Sequence, residues 1–300
     1  MAAEPEIPAA GYLVEEIDDG LHYVTEGTYQ VLFSVTDEGV VVVDAPPTMA
    51  EAVLAAIADV TDRAITHVVY THAHADHIGA AVRYPDDATY VGHAETAARL
   101  ERAGDPNRPV PDVTFEESHT LRVGGETLRL DHHGTNHSAD TVFVYAPEHA
   151  TLMLVDVVFP GWIPFKDLAA AESVPGDVAA HDHALKYDFK TFVGGHLGRL
   201  GGRDDVRESR AYVRDLRENT TEALETIEIG PIAATVGENR PWKLFDAYFD
   251  AVADRAAAAT LETWGDRLGG AEVFVHDNAT AMAASLQIDD GVLGPLGLDG

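Results

Sequence analysis

The 300-residue sequence contains no cysteine, which excludes disulfides, thiolate metal ligands and a cysteine nucleophile. Any metal must therefore sit on His, Asp or Glu. Positive charge is scarce as well: 20 Lys and Arg stand against 51 Asp and Glu, for a formal net charge of -31. Only four of the cations are lysines, Lys166, Lys186, Lys190 and Lys243. Such a surface repels phosphate backbones, so a nucleic-acid partner is not expected. The same acidic, lysine-poor composition, rich in Ala, Val and Asp, is expected of a protein adapted to high salt.

Long hydrophobic runs are also missing. The apolar segments 40–43 and 152–155 are strand-sized, far below the roughly 20 residues a membrane-spanning helix needs, and no membrane span is expected. Residues 1–6 lack the basic start and apolar run of a secretory signal, which makes a cytoplasmic location the expectation. What is present, 46% hydrophobic residues, supplies the core of one large domain or of a domain with an extension. The expected partner is a small-molecule substrate, and the pattern does not specify an oligomeric state.

Residues 12–17, 21–25, 29–35 and 40–44 read as an antiparallel meander with turns at Asp19-Gly20, Glu26-Gly27 and Glu38-Gly39. Apolar residues at helical spacing follow over 48–60, then a short strand over 66–70. A second cycle predicts helix 78–82, strand 89–92, helix 94–103 and a proline-rich loop at 105–111. Strands are predicted over 120–123, 127–133, 141–145 and 151–155, then a helix over 177–186 and a last strand at 191–193. Beyond Gly202, Val206, Val213, Leu216, Leu224 and Ile227 mark one helical face and Phe245, Phe249, Val252, Ala256 and Ala259 another. Residues 1–202 are thus expected to form a catalytic domain, with 203–300 a mainly helical extension packed on it, in which Trp242, Phe245, Phe249 and Trp264 suggest a packed lid or interface. In that extension His276 and Asn278 are candidates to reach the pocket, with core packing the alternative.

The chemistry concentrates where strand 66–70 ends. In Thr71-His72-Ala73-His74-Ala75-Asp76-His77, four metal-capable side chains fall within six residues. A loop leaving a strand can aim several of them at one point, whereas a continued strand would send alternate residues to opposite faces. His72 and His74 with one further ligand would give zinc three protein ligands and an open position. Asp76 and His77 can start a second site. A lone His-x-His is commonplace on a surface, so the weight rests on the whole set.

This segment resembles the His-x-His-x-Asp-His signature of the metallo-β-lactamase superfamily. Further family ligands are matched in order by His137 in a strand-connecting loop, Asp156 after the strand 152–155, and His196 after Val193-Gly194-Gly195. The resemblance implies an α+β fold, an αββα sandwich of two mixed β-sheets flanked by helices. It assigns His72, His74 and His137 to a first metal, Asp76, His77 and His196 to a second, and Asp156 to a bridge between them. Two features depart from the commonest pattern: Asn136-His137-Ser138-Ala139-Asp140 replaces Gly-His-Thr-Pro-Gly, and Val155 precedes Asp156 where glycine is usual.

Two Zn²⁺ ions, with iron or manganese as alternatives, would generate a hydroxide nucleophile and polarise a carbonyl, with Asp76 and Asp156 orienting the nucleophile and taking its proton. A bridging Asp156 resembles the glyoxalase II and lactonase branches, which implies ester, thioester or lactone substrates. β-Lactamase, phosphodiesterase, iron-dependent persulfide dioxygenase and a non-enzymatic binding protein are the alternatives. Asp44 reads as a turn former or as an acceptor that orients a ligand histidine, the role the resemblance favours. Asp140 reads as a turn residue or, alternatively, as a further acceptor behind a ligand. His93, His119, His132, His133, His181 and His183 are expected to be exposed or hydrogen-bonded. Trp162 and Phe165 either cap the core or wall the site.

Overall fold

The computed structural model describes residues 4–237 and 239–296. Positions 1–3 of the N-terminal reading, and 238 and 297–300 of the expected extension, lie outside the described residues. Strands β1 (Leu13–Asp18), β2 (Leu21–Thr25), β3 (Gln30–Thr36) and β4 (Gly39–Val43) form the antiparallel meander. After helix α1 (Ala50–Val60), β5 (Ile65–Val69) pairs parallel to β4. The one-turn helix α2 (Ala75–Ile78), then β6 (Thr89–His93), α3 (Ala94–Ala103) and β7 (Val113–Phe115), complete a seven-stranded sheet in sequence order. β7 is not anticipated by the pattern, because Val113-Thr114-Phe115 stands alone between the acidic Asp112 and Glu116 after the proline-rich loop.

The second sheet contains β8 (Ser118–Val123), β9 (Glu126–Asp131), β10 (Phe143–Ala146), β11 (Thr151–Met153) and β12 (Thr191–Val193), in the order β12-β11-β10-β9-β8. Its pairs are antiparallel except β11 with β12. Two mixed sheets with outer helices are thus the observed architecture, as the resemblance implies. The run 40–43 shows how four consecutive valines serve it: Val41 and Val43 pack between the sheets, while Val40 and Val42 pack under α1 with Met49, Val53 and Ile57. Period-two alternation places both sets in apolar surroundings, each fully buried valine contributing roughly 1.5–3 kcal/mol. The outer face of the small sheet, Phe143, Tyr145 and Leu152, is covered by Ala180 and Ala184 of helix α5 (Val174–Ala184).

Between β11 and α5 the chain makes a turn, α4 (Lys166–Ala170), that no sequence pattern announces. Residues 167–170 all adopt positive φ, from 54° to 57°, which L-residues rarely do in series. Beyond Gly202 follow α6 (Arg203–Thr226), α7 (Ile229–Val236), α8 (Pro241–Trp264) and α9 (Ala271–Ile288). On α6 the buried face includes Val206, Val213, Leu216 and Leu224. On α8 it runs through Tyr248, Val252, Ala253, Ala256 and Trp264, whereas Trp242 and Phe245, expected to be packed, are 82% and 45% exposed on the first turns of the helix. These helices share a core with Ile163 and Leu168 from the loop after β11. Among the described residues no helix is long and apolar enough to cross a membrane.

Candidate metal centre

The centre lies where β4, β5, β11 and β12 end. Helix α2 begins earlier than the spacing of 78–82 suggests, so His74 takes its N-cap position and Asp76 and His77 fall on its single turn. Gly79 permits that turn, since a Cβ there would stand 2.2 Å from the Ala75 carbonyl oxygen. On the opposite strand end, Gly195 has φ +84° and a Cβ would lie 2.6 Å from Val155 Cγ1, so glycine lets His196 approach Asp156. Leu154 and Asp156 leave β11 but still donate to the carbonyls of Val193 and Gly194, at 3.1 and 3.2 Å. Asp156 itself has φ +65°, a conformation Asp tolerates better than most residues.

All seven residues singled out in the sequence are brought together. His72, His74, His137 and Asp156 form one group and Asp76, His77 and His196 another, the ligand atoms within each lying within 4.8 Å of one another. Asp156 reaches both. Its Oδ2 lies 3.0 Å from His77 Nε2, 3.2 Å from His137 Nε2 and 3.5 Å from His72 Nε2, while Oδ1 lies 2.9 Å from His196 Nε2. Nitrogens also face nitrogens, His77 Nε2 to His196 Nε2 at 3.1 Å and His137 Nε2 to His74 Nδ1 at 3.1 Å. Each such pair needs a proton on one side or a cation between its lone pairs. His72 Nε2 and Asp156 Oδ1 are buried without a hydrogen-bond partner. Orphaned donors converging in this way fit a metal, and imidazole with carboxylate suits zinc, iron or manganese.

Burial holds the His72 imidazole well below its ordinary range, with His77 and His137 beside it acting in the same direction. His137 is lowered by burial too; neutral imidazoles are what metal ligation requires. Burial would lower His77 as well, but Asp156, Asp44 and Asp76 outweigh it and raise the group to about 9. Burial would raise Asp156, yet His77, His196 and His137 hold it well below the usual carboxylate range. A carboxylate kept ionised at 2% exposure is a standing demand for positive charge.

Asp44, fully buried, accepts from the Thr71 backbone N–H at 2.8 Å and the Thr71 hydroxyl at 2.7 Å. The Thr71 hydroxyl proton is thereby spent on Asp44, so its oxygen accepts from His72 Nδ1–H at 3.1 Å and Nε2 keeps its lone pair toward Asp156. Asp44 thus orients His72 through Thr71; its direct approach to His77 Nδ1 is 4.0 Å. Burial pushes Asp44 up to about 7 despite His77 and the Thr71 hydrogen bonds.

Asp140 is buried, accepting from Thr96 Oγ1 at 2.7 Å and from the Ser138 hydroxyl. His93, His132, His133 and His181 are hydrogen-bonded within the fold. Asn278 does not touch the centre: buried on α9, it accepts from Leu168 N–H at 2.8 Å and donates to the Pro164 carbonyl at 2.9 Å and Tyr212 Oη at 3.1 Å. His276 pairs with Asp254 at 3.2 Å instead. Tyr29 was not anticipated. It bridges to His196 across an isolated β contact, and its hydroxyl donates to Asp76 Oδ2 at 3.4 Å; the sequence pattern reads it only as the first residue of the strand 29–35.

An αββα sandwich with a seven-member His/Asp cluster at the sheet ends defines a class of metal-site proteins. The chain belongs to the metallo-beta-lactamase superfamily, whose family model matches residues 25–228. Among curated proteins it is similar to the 2,4-dinitroanisole O-demethylase subunit alpha of Nocardioides sp. (strain JS1661), 26% identical over 186 residues. That match covers 60% of this chain and 56% of the relative, so the chain spans a little over half the relative's length. Among solved structures it resembles a metallo-beta-lactamase from Pontibacter korlensis, with TM-score 0.59, 24% identity, 68% of this chain and 99% of that one. The metallo-beta-lactamase IND-7 aligns with TM-score 0.57 and 19% identity over 68% of this chain and 100% of that one. TMB-1 aligns with TM-score 0.58 and 20% identity over 69% and 98%. At these identities the structural likeness shows the fold alone.

Proposed function

We propose that the chain is a metal-dependent hydrolase that works with two ions, zinc foremost, on an ester, thioester or lactone carbonyl. The observation that carries this reading is the reach of Asp156 across both groups of ligands, 2.9 Å from His196 and 3.2 Å from His137. His72, His74 and His137 would hold one ion, Asp76, His77 and His196 the other, and Asp156 both. Ions held there supply Lewis acidity for a carbonyl and acidify water to near neutral pH.

The chain's own residues do the rest. Asp156, buried and ionised, keeps the two ligand groups at one separation. Asp76, whose side chain is 49% exposed, stands at the mouth to take the proton released by the attacking water and return it to the leaving group. Tyr29, pushed up to about 12 by burial and then by Asp76, stays a neutral donor to that carboxylate. Asp44 and Thr71 lock the His72 tautomer.

The likeness to an O-demethylase subunit favours a second reading on the same site, cleavage of an aryl methyl ether. Metal analysis with a panel of ester, thioester, lactone, β-lactam, phosphodiester and aryl methyl ether substrates tests both. The expected result is close to two ions per chain, activity on an acyl substrate, loss on chelation and recovery with zinc. Undiminished turnover by metal-free protein would overturn the proposal.

A further inference from the structure

Three aromatic rings gather around His196. Tyr29 lies 4.6 Å from its ring, Phe159 5.9 Å and Phe165 6.3 Å, with Phe159 and Phe165 edge-to-face at 5.8 Å. Phe159 is buried, but Phe165 is 40% exposed beside a polar metal centre. Phe165 is not a loose surface ring. It stands two residues before the left-handed turn 167–170, a conformation that persists only where the surroundings over-determine it. Asn278, fully buried, supplies that constraint by gripping Pro164 on one side of Phe165 and Leu168 on the other. An apolar ring is thus held out into solvent next to His196 by the C-terminal helices.

Charge around the mouth points the same way. Arg99 spends its fork on Glu172 at 2.7 and 2.9 Å. Arg108 is engaged by Asp105 and the Ala73 carbonyl, each at 2.8 Å. Lys166, next to Phe165, is exposed, but Asp76 opens to the same mouth and the whole chain carries -31. The side chains around the mouth thus give an anionic substrate net repulsion, which ions held at the centre would oppose.

We infer that the site selects an uncharged substrate bearing an aromatic group, seated against Phe165 and Tyr29 beside His196, with Phe159 backing Phe165. For the reaction the inference rests on the hydrolase reading: an aryl ester plus water gives a carboxylic acid and a phenol. The aromatic wall itself does not depend on turnover, which makes binding the proper test.

The experiment measures equilibrium binding of three non-reacting ketones to the full chain loaded with zinc: acetophenone, its ring-saturated counterpart cyclohexyl methyl ketone, and the anionic 4-acetylbenzoate. Acetophenone should bind more tightly than cyclohexyl methyl ketone by about two- to tenfold, the range of one aromatic pair, and more tightly than 4-acetylbenzoate. Phe165→Ala should erase the aryl preference without changing metal content, and Phe165→Tyr should retain it. Equal binding of the first two ketones, an aryl preference undiminished in Phe165→Ala, or tightest binding of 4-acetylbenzoate would overturn the inference. A protein that keeps the aryl preference yet leaves phenyl acetate intact would remove the hydrolase reading and leave the wall standing.

Discussion

Replacing Asp156 separates a shared centre from two independent ones. Alanine is a confounded choice, because position 156 has φ +65° and the left-handed region costs a β-carbon-bearing residue about 1–2 kcal/mol. Asn tolerates that conformation and nearly matches the shape, so Asp156→Asn isolates the charge. In the metal-free fold, His77 stands at about 9 against an ordinary 6.5, with burial opposing the shift and Asp156 leading the groups that produce it. A displacement of that size on a fully buried ring corresponds to a preference on the order of 3 kcal/mol for the protonated form. Because the folded value exceeds the unfolded one, this stabilisation is fully present below about pH 6.5 and is lost as pH rises through about 9. Urea midpoints of the metal-free wild type should therefore fall across that window, and those of Asp156→Asn should fall much less. With metal present, the variant should hold close to one ion by elemental analysis instead of two. Turnover should drop by about 10²–10³-fold or more, the cost of losing a principal transition-state stabiliser, with a smaller change in KM. Two retained ions with near-normal turnover would show that Asp156 only turns the chain at a strand end.

Asn278→Ala removes three hydrogen bonds and strands Leu168 N–H, the Pro164 carbonyl and Tyr212 Oη in the interior. The expected loss is about 3 kcal/mol or more, read as a lower urea midpoint, and an unchanged midpoint would show that the turn 167–170 holds without it. The formal charge of -31 predicts that stability rises with salt, since self-repulsion acting over about 10 Å at 0.1 M is confined to about 3 Å at 1 M. Thermal midpoints in dilute and molar KCl measure this, and a highest midpoint in dilute buffer would refute it.

Much of this protein is legible in one dimension because its strongest signals are local. The valine run 40–43 follows from its β-branched composition after the Glu38-Gly39 turn and the helix 94–103 from its local composition, and the segment from His72 to His77 announces itself because six consecutive residues carry four possible ligands. His137, Asp156 and His196 could be placed in order only through the resemblance to the metallo-β-lactamase signature, since no local spacing singles them out. The α6 face was also readable; that of α8 was only partly so, since Phe245 shares the spacing of the buried residues yet faces water.

Tertiary structure alone decided what those residues do together. Asp76 meets Tyr29 across 47 residues of chain, His74 meets His137 across 63 and His77 meets His196 across 119. Contacts of that span depend on which strands pair and on where each leaves its sheet, information that no window of hydrophobic spacing contains. The left-handed turn 167–170 has no composition that announces it, and its constraint arrives from Asn278, 110 residues beyond Leu168. Which donors could form a centre was written in the sequence. That one carboxylate reaches both groups, and that a phenylalanine is held open beside them, was decided by two sheets and a distant helix closing on the same point.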